Sequence, residues 1–284
     1  MINKKILDNL ICIKCLKRVR FNKKILTCDT CKREYPIIND KLYVIKPVKD
    51  SKELVDDFVI NRLKTFFKKF PKIYNILYYL FGVTFVGRNS KNVIKNIDEK
   101  KIIINLGSGP RKIREDIINV DFYPFTNVHI VADIVNLPFK DNSVDVIINE
   151  SVLEHIKNPQ TIVKEMYRIL KPGGLIYVTV PFVVSFHSSP NDYYRWSMEG
   201  LRQLFKDYKE IEIDVRGGPT SAMLSIFNDW IATLFSFGSR WLHQILLIIF
   251  MIITSPLKII DYLIYKFPSS QNIAYGFYYI GKKK

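Results

Sequence analysis

From Lys101 to Pro181 the chain alternates short apolar runs with turn and helix signals, and this alternation constrains the fold more than any other feature. KIIINL (101–106) reads as a buried strand and is followed at once by Gly107-Ser108-Gly109-Pro110. A second strand ends at Asp121 (IINVD), a third near Asp133 (VHIVAD), and a fourth, VDVIINE, at Glu150. A helical pattern spans roughly Pro159–Leu170. The turn Lys171-Pro172-Gly173-Gly174 and the strand LIYVTVP follow. Strands alternating with helical segments predict an α/β fold, a parallel sheet with helices on its faces. Ligands in such sheets bind beyond the carboxyl ends of the strands.

A lone G-x-G is a weak signal, but here it belongs to a series. N-L-G-S-G (105–109), Asp121, A-D-I-V-N-L-P-F (132–139), S-V-D-V-I (143–147), L-E-H-I (153–156) and R-I-L-K-P-G-G (168–174) follow in order. Residues 101–182 thereby resemble the class I S-adenosylmethionine-dependent methyltransferases. The resemblance implies a Rossmann-like sheet of seven strands, the last antiparallel. It places the cofactor at Asn105, Gly107, Ser108, Gly109, Asp121, Phe122, Asp133, Ile134, Glu150 and Ser151. Gly107 and Gly109 would let the backbone approach the methionine part and ribose. Asp121 would accept the ribose hydroxyls, Asp133 the adenine amino group, and Ile134 would pack on the ring. Glu150 and Ser151 would close the side near the sulfonium. A helix cap at Asp133 and a plain surface acid at Glu150 are the alternatives. Asn105 departs from the acid common at that position. Only residues 110–117 separate the glycine loop from the second strand, too few for the full helix of a dinucleotide site.

Methyl transfer needs mainly alignment, which can supply about 7–11 kcal/mol. A hydroxyl acceptor would also need a base. The segment PFVVSFHSSPNDYYRWS (181–197) follows the fifth strand and gathers His187, Asp192, Tyr193, Tyr194, Arg195 and Trp196. Aromatic faces beside Arg and Asp suit a sugar or other polar acceptor. His187 is the candidate general base, with Asp192 and Arg195 fixing hydroxyls or an anion. Together with G-G-P-T-S-A-M (217–223), this stretch resembles a bacterial methyltransferase group associated with cell-envelope polysaccharide synthesis. That resemblance covers about residues 51–284.

All four cysteines, Cys12, Cys15, Cys28 and Cys31, form C-x2-C-x12-C-x2-C. Two paired turns of this kind make a tetrahedral S4 site for a structural zinc with no open position. Residues 7–46 resemble the zinc ribbon of the small subunit that activates several translation-related methyltransferases. A ribbon over residues 1–48 is too small to fold without its metal. Residues 51–70 then place Leu54, Phe58, Leu63, Phe66, Phe67 and Phe70 on one helical stripe, with Lys64, Lys68 and Lys69 off it. A basic, aromatic helical segment is expected over 49–98, and the methyltransferase domain over 99–284.

The composition, 48% hydrophobic residues and 4 Cys in 284 residues, excludes a disordered chain and a disulfide scaffold. No secretory signal is evident at the start, which suggests a cytoplasmic protein. The formal charge of +16 is uneven: +8 in residues 1–50, +5 in 51–100, −1 in 101–250 and +4 in 251–284. Between expected strands at 211–218 and 275–283 lies an apolar insert, residues 219–274, containing ILLIIFMII at 245–253. Thr254, Ser255 and Pro256 interrupt it, which suggests two helices bent at Pro256 rather than one crossing of about 20 apolar residues. Trp230, Trp241, Tyr262 and Tyr265 would be interfacial anchors, with Lys282–Lys284 adding attraction to an anionic membrane. A helical subdomain buried against the core or in a homo-oligomer is the alternative. These features point to methylation, at oxygen, of an envelope glycan or lipid-linked sugar on the inner membrane face. An RNA methyltransferase whose basic zinc module tracks phosphates, and a non-catalytic scaffold, are the competing readings.

Overall fold

The computed structural model describes residues 4–22, 24–46, 70, 82–186 and 191–284. The expected helical stripe, except Phe70, and the apolar run that follows it up to residue 81 lie outside the described residues, as does His187.

Four short strands open the chain: β1 (Val19–Asn22), β2 (Ile25–Cys28), β3 (Glu34–Ile38) and β4 (Lys41–Tyr43). They form an antiparallel meander. Seven more follow: β5 (Ile103–Leu106), β6 (Ile118–Asp121), β7 (Ile130–Val131), β8 (Val144–Glu150), β9 (Leu170–Pro181), β10 (Tyr208–Gly217) and β11 (Gly276–Lys283). The spatial order is β1-β2-β3-β4-β7-β6-β5-β8-β9-β11-β10, one sheet of eleven strands. The last seven are the Rossmann-like class I methyltransferase sheet expected from the sequence, with β11 antiparallel to both neighbours. β5 and β6 are buried at every residue, as parallel strands covered on both faces must be.

The amino-terminal meander is not a separate bead. β4 pairs in parallel with β7, Leu42 opposite Ile130 and Tyr43 opposite Val131. The Ile11 N–H donates to the Pro138 carbonyl, and the Lys41 ammonium donates to the carbonyls of Phe125, Thr126 and Val128. Ile6, Leu10, Leu26, Tyr35 and Leu42 share one apolar core with Leu137 and Phe139.

The helices among the described residues are α1 (Lys4–Leu7), α2 (Ser90–Ile94), α3 (Pro159–Ile169), α4 (Met198–Leu204), α5 (Pro219–Phe235), α6 (Arg240–Thr254) and α7 (Asp261–Ile264). α3 starts on a proline, which needs no N–H there, and buries Ile162, Val163, Met166 and Ile169. No helix forms over 110–117, in line with the short spacing. The turn expected at 171–174 lies inside β9 instead. Gly173 takes a φ of +73°, and the register against β8 slips between Val144 and Val146, so these residues bulge from a continuing strand.

The apolar insert contains α5 and α6. The bend expected at Pro256 lies elsewhere: the chain reverses at Phe237-Gly238 (φ +47° and +78°), whereas Pro256 sits in the first turn of a 3-10 segment, Ser255–Ile260, where its missing N–H costs nothing, and the backbone stays helical from Arg240 to Ile264 through α7. A second 3-10 turn at Pro268–Ile273 follows. Gly217 stands opposite Gly276, which stands opposite Pro181. The insert therefore leaves and rejoins the sheet at the carboxyl ends of the parallel strands. Lys283 stands at the other end of β11, about 23 Å away. This corrects the expectation that the lysine tail flanks the insert. Lys283 donates to Asn142 and to the Tyr167 carbonyl, and Lys284 to the Lys206 carbonyl.

Candidate active site and metal centre

The carboxyl ends of β5, β6 and β8 bring the expected cofactor residues together. Gly107 (φ +68°) and Gly109 (φ +54°) turn the chain sharply after β5. Their glycine requirements differ. A Cβ on Gly107 would stand 2.4 Å from Val152 Cγ2, so this glycine is fixed by packing against the segment after β8. A Cβ on Gly109 would meet nothing within 4 Å, so here the backbone faces open space and its left-handed φ is the reason for glycine.

Asp121, 6% exposed at the end of β6, braces this loop. One carboxylate oxygen accepts from the Gly109 N–H at 2.8 Å and the other from the Tyr123 N–H at 2.9 Å. Burial raises its pKa, and the N–H groups of Tyr123, Gly109 and Phe122 oppose that rise. Of about four lone-pair sites on the carboxylate, these three N–H groups leave one for a ligand hydroxyl. Ser108 is buried and donates to the Gly109 carbonyl. The Asn105 amide donates to Asn119 on the neighbouring strand. Asp133 is exposed and caps its own turn by accepting from the Val135 N–H at 3.0 Å. Ile134 packs into the core, whereas Val135 and Phe122 are exposed. Glu150 is half-buried, and Ser151 has a left-handed φ of +53°. The open backbone at Gly109, beside a buried acid with a spare lone pair, fits the polar end of S-adenosylmethionine.

The acceptor loop is built differently from the expectation. Asp192 and Arg195 form a two-pronged ion pair, and the Asp192 side chain is 1% exposed. Arg195 also donates to the carbonyls of Ser185 and Tyr194. This corrects the assignment of the pair to acceptor hydroxyls: the two side chains hold the loop in shape. Phe186, Tyr193 and Tyr194 remain exposed, and Tyr194 stacks on Trp196 at 5.4 Å. The Ser185 hydroxyl donates to the Ser225 carbonyl, tying the loop to α5.

Two residues went unnoticed in the sequence. Asn149, fully buried, donates to the carbonyl of Leu106, the last residue before the glycine loop. Glu154, also fully buried, has no hydrogen-bond partner for its carboxyl oxygens among the described residues. Burial pushes its pKa up to about 8, against the pull of Arg195. An acid between Leu153 and Ile156 was the available signal. A cavity of about 590 Å³ lies away from the glycine loop, between Arg88, Asp214, Lys266 and Tyr278.

The four cysteines form the expected cluster, with all Sγ atoms within 4.8 Å of one another. Cys12 and Cys31 are 3.5 Å apart, and Cys15 and Cys28 3.4 Å. A tetrahedron with zinc–sulfur bonds of about 2.3 Å has edges of about 3.8 Å, so the set fits zinc. The two turns repeat each other. The N–H groups of Leu16 and Lys32 donate to the carbonyls of Cys12 and Cys28, and both residues have left-handed φ, 57° and 58°. The Tyr35 hydroxyl contacts Cys12 Sγ at 3.1 Å and accepts from the Ile13 N–H.

Residues 111–178 match a family model described as a methyltransferase domain. A probable S-adenosylmethionine-dependent methyltransferase of Mycolicibacterium smegmatis is 32% identical over 80 residues, 25% of this chain and 31% of the relative. A demethylmenaquinone methyltransferase of Geobacillus is 28% identical over 122 residues, 41% of this chain and 48% of the relative. The chain thus spans less than half the length of each of these relatives. Among solved structures, a complex of the Haloferax volcanii Trm112 methyltransferase activator with a methyltransferase superposes with a TM-score of 0.46 and 16% identity, covering 82% of this chain and 99% of that one. Phosphoethanolamine N-methyltransferase 2 of Haemonchus contortus, bound to S-adenosyl-L-methionine, superposes with a TM-score of 0.43 and 16% identity, covering 78% of this chain and 59% of that one.

Proposed function

We propose that the protein transfers a methyl group from S-adenosylmethionine to oxygen on a lipid-linked sugar or envelope glycan, working at the cytoplasmic face of a membrane. The observation that carries this reading is the shared edge. The glycine loop, Asp121, the 181–197 loop and both ends of the apolar insert all stand at the carboxyl ends of the strands. An acceptor with a lipid anchor and a polar head would meet apolar helices and the cofactor residues together.

S-Adenosylmethionine supplies, when bound, an electrophilic methyl on a sulfonium. Gly107–Gly109, Asp121, Asp133 and the 150–151 segment would hold it. Tyr193 and Tyr194 present aromatic faces to the acceptor, and Asp192 with Arg195 fixes the loop that carries them. His187 in that loop is the proposed base for an acceptor hydroxyl. The name of a Ruegeria relative, a ubiquinone/menaquinone biosynthesis C-methyltransferase, favours a second reading, methylation at carbon of a quinone precursor.

Incubating the protein with methyl-labelled S-adenosylmethionine, total membrane lipid and total RNA separates the readings. Label in the sugar released from lipid by mild acid supports the first. Label in an apolar ring fraction supports the second, and label in RNA rejects both. Asp121→Ala should weaken cofactor binding by calorimetry about tenfold or more, as expected for loss of a charged acceptor.

A further inference from the structure

The insert is built inside out relative to a helix pair exposed to water. Between Gln244 and Leu263, the polar and charged side chains turn inward. Gln244 and Thr254 are buried. Lys258 is 8% exposed and donates to the Gly82 carbonyl at 2.8 Å. Asp261 is fully buried and accepts from the N–H groups of Thr220 and Ser221 at 2.6 and 3.0 Å, and from the Ser221 hydroxyl at 2.6 Å. A polar pair joins α5 to α6. Asn228 donates to Thr254 at 3.0 Å, and Ala232 and Ser236 are buried beside them.

The outer face is the reverse. Met223, Ile226, Phe227, Trp230 and Leu234 are exposed on α5, and Ile252, Ile253, Ile259 and Leu263 beyond it, Leu263 at 73%. The most apolar 18-residue stretch within Arg240–Ile264 has a mean hydropathy of 2.0, yet only 17% of it is buried. In water, large apolar side chains turn in and charges turn out. Small and polar contacts inside with large apolar residues outside mark helices that face lipid.

We propose that the outer face of the α5–α6 hairpin and the turn after it is embedded lengthwise in the interface of a lipid bilayer. This deepens the proposed membrane-face reaction and rests on it for its biological setting. Crossing does not fit. Asp261 and Lys258 fasten the end of the segment to the start of α5 and to Gly82, and β11 returns to the sheet. Insertion tip first would drive Asp229, Arg240 and His243 into hydrocarbon at heavy cost. Lying flat avoids this. Trp230 and Trp241 then stand at one end of the apolar stripe and Tyr262 at the other, as interfacial anchors do. The exposed Arg240 and Lys266 bracket the stripe with positive charge, complementary to anionic headgroups.

The test uses the full chain carrying Trp196→Phe, which leaves Trp230 and Trp241 as reporters, and vesicles of phosphatidylethanolamine and phosphatidylglycerol. The protein should sediment with the vesicles, and lipids brominated near the headgroup should quench both tryptophans. Ile253→Glu combined with Ile259→Glu should lower partitioning about tenfold or more, with helicity by circular dichroism unchanged. The proposal is overturned if the wild type stays in the supernatant with vesicles, if brominated lipid leaves both tryptophans unquenched, or if a stable dimer in solution shields them. S-Adenosylmethionine binding is measured on the same preparation. Vesicle binding without it defeats the enzyme reading alone, and the converse defeats this proposal alone.

Discussion

Glu154 ties stability to pH in an unusual direction. Unfolded, a glutamate releases its proton near pH 4.5, whereas in the fold Glu154 holds it to about 8. Between these values the native state binds the extra proton, so stability falls as pH rises, by up to about 1.4 kcal/mol per pH unit. Glu154→Gln keeps the shape and removes the ionisation. The variant should melt higher than the wild type at pH 8, with the gap closing toward pH 4.5. Thermal scans across that range check this, and an equal gap at every pH would defeat it. Residues such as Gly109 and Asp121 were legible in the sequence because their chemistry is tied to a fixed place in the strand order. Glu154 and the Asp192–Arg195 pair were not, since whether an acid is spent on its neighbours depends on burial, which spacing does not reveal.

At the scale of elements, the four-cysteine meander closes an edge. β7 has two residues, Ile130 and Val131, and β4 covers its outer side. The purified protein should hold one zinc per chain by elemental analysis. Cys28→Ser should lose it and lower Tm by at least ~5 °C, because the small module folds on its metal. A variant without zinc that melts like the wild type would show the ribbon to be independent of the sheet. The cysteine spacing announced the ribbon, and apolar runs announced β5, β6, β8 and β9. The β4–β7 pairing left no trace in the sequence, because three residues, Lys41–Tyr43, carry no periodicity and a parallel partner lies far along the chain.

For the whole molecule, the distribution of charge matters more than the total of +16. The lysine tail is held at the edge of the sheet opposite the insert. Replacing Lys282, Lys283 and Lys284 by alanine should therefore leave vesicle partitioning within about twofold of the wild type, read by sedimentation at fixed lipid. A tenfold loss would mean that the tail reaches the same surface as the hairpin. The facing of Gly217 and Gly276 has a further consequence. β10 and β11 are in effect a β-hairpin whose tight turn has been exchanged for residues 218–275. Closing a longer loop costs little more than closing a short one, since the entropy grows only with the logarithm of length. A lineage can thus lengthen, shorten or replace this excursion without disturbing the register of the strands behind the glycine loop and Asp121, and alter what the α5–α6 hairpin meets while that site stays intact.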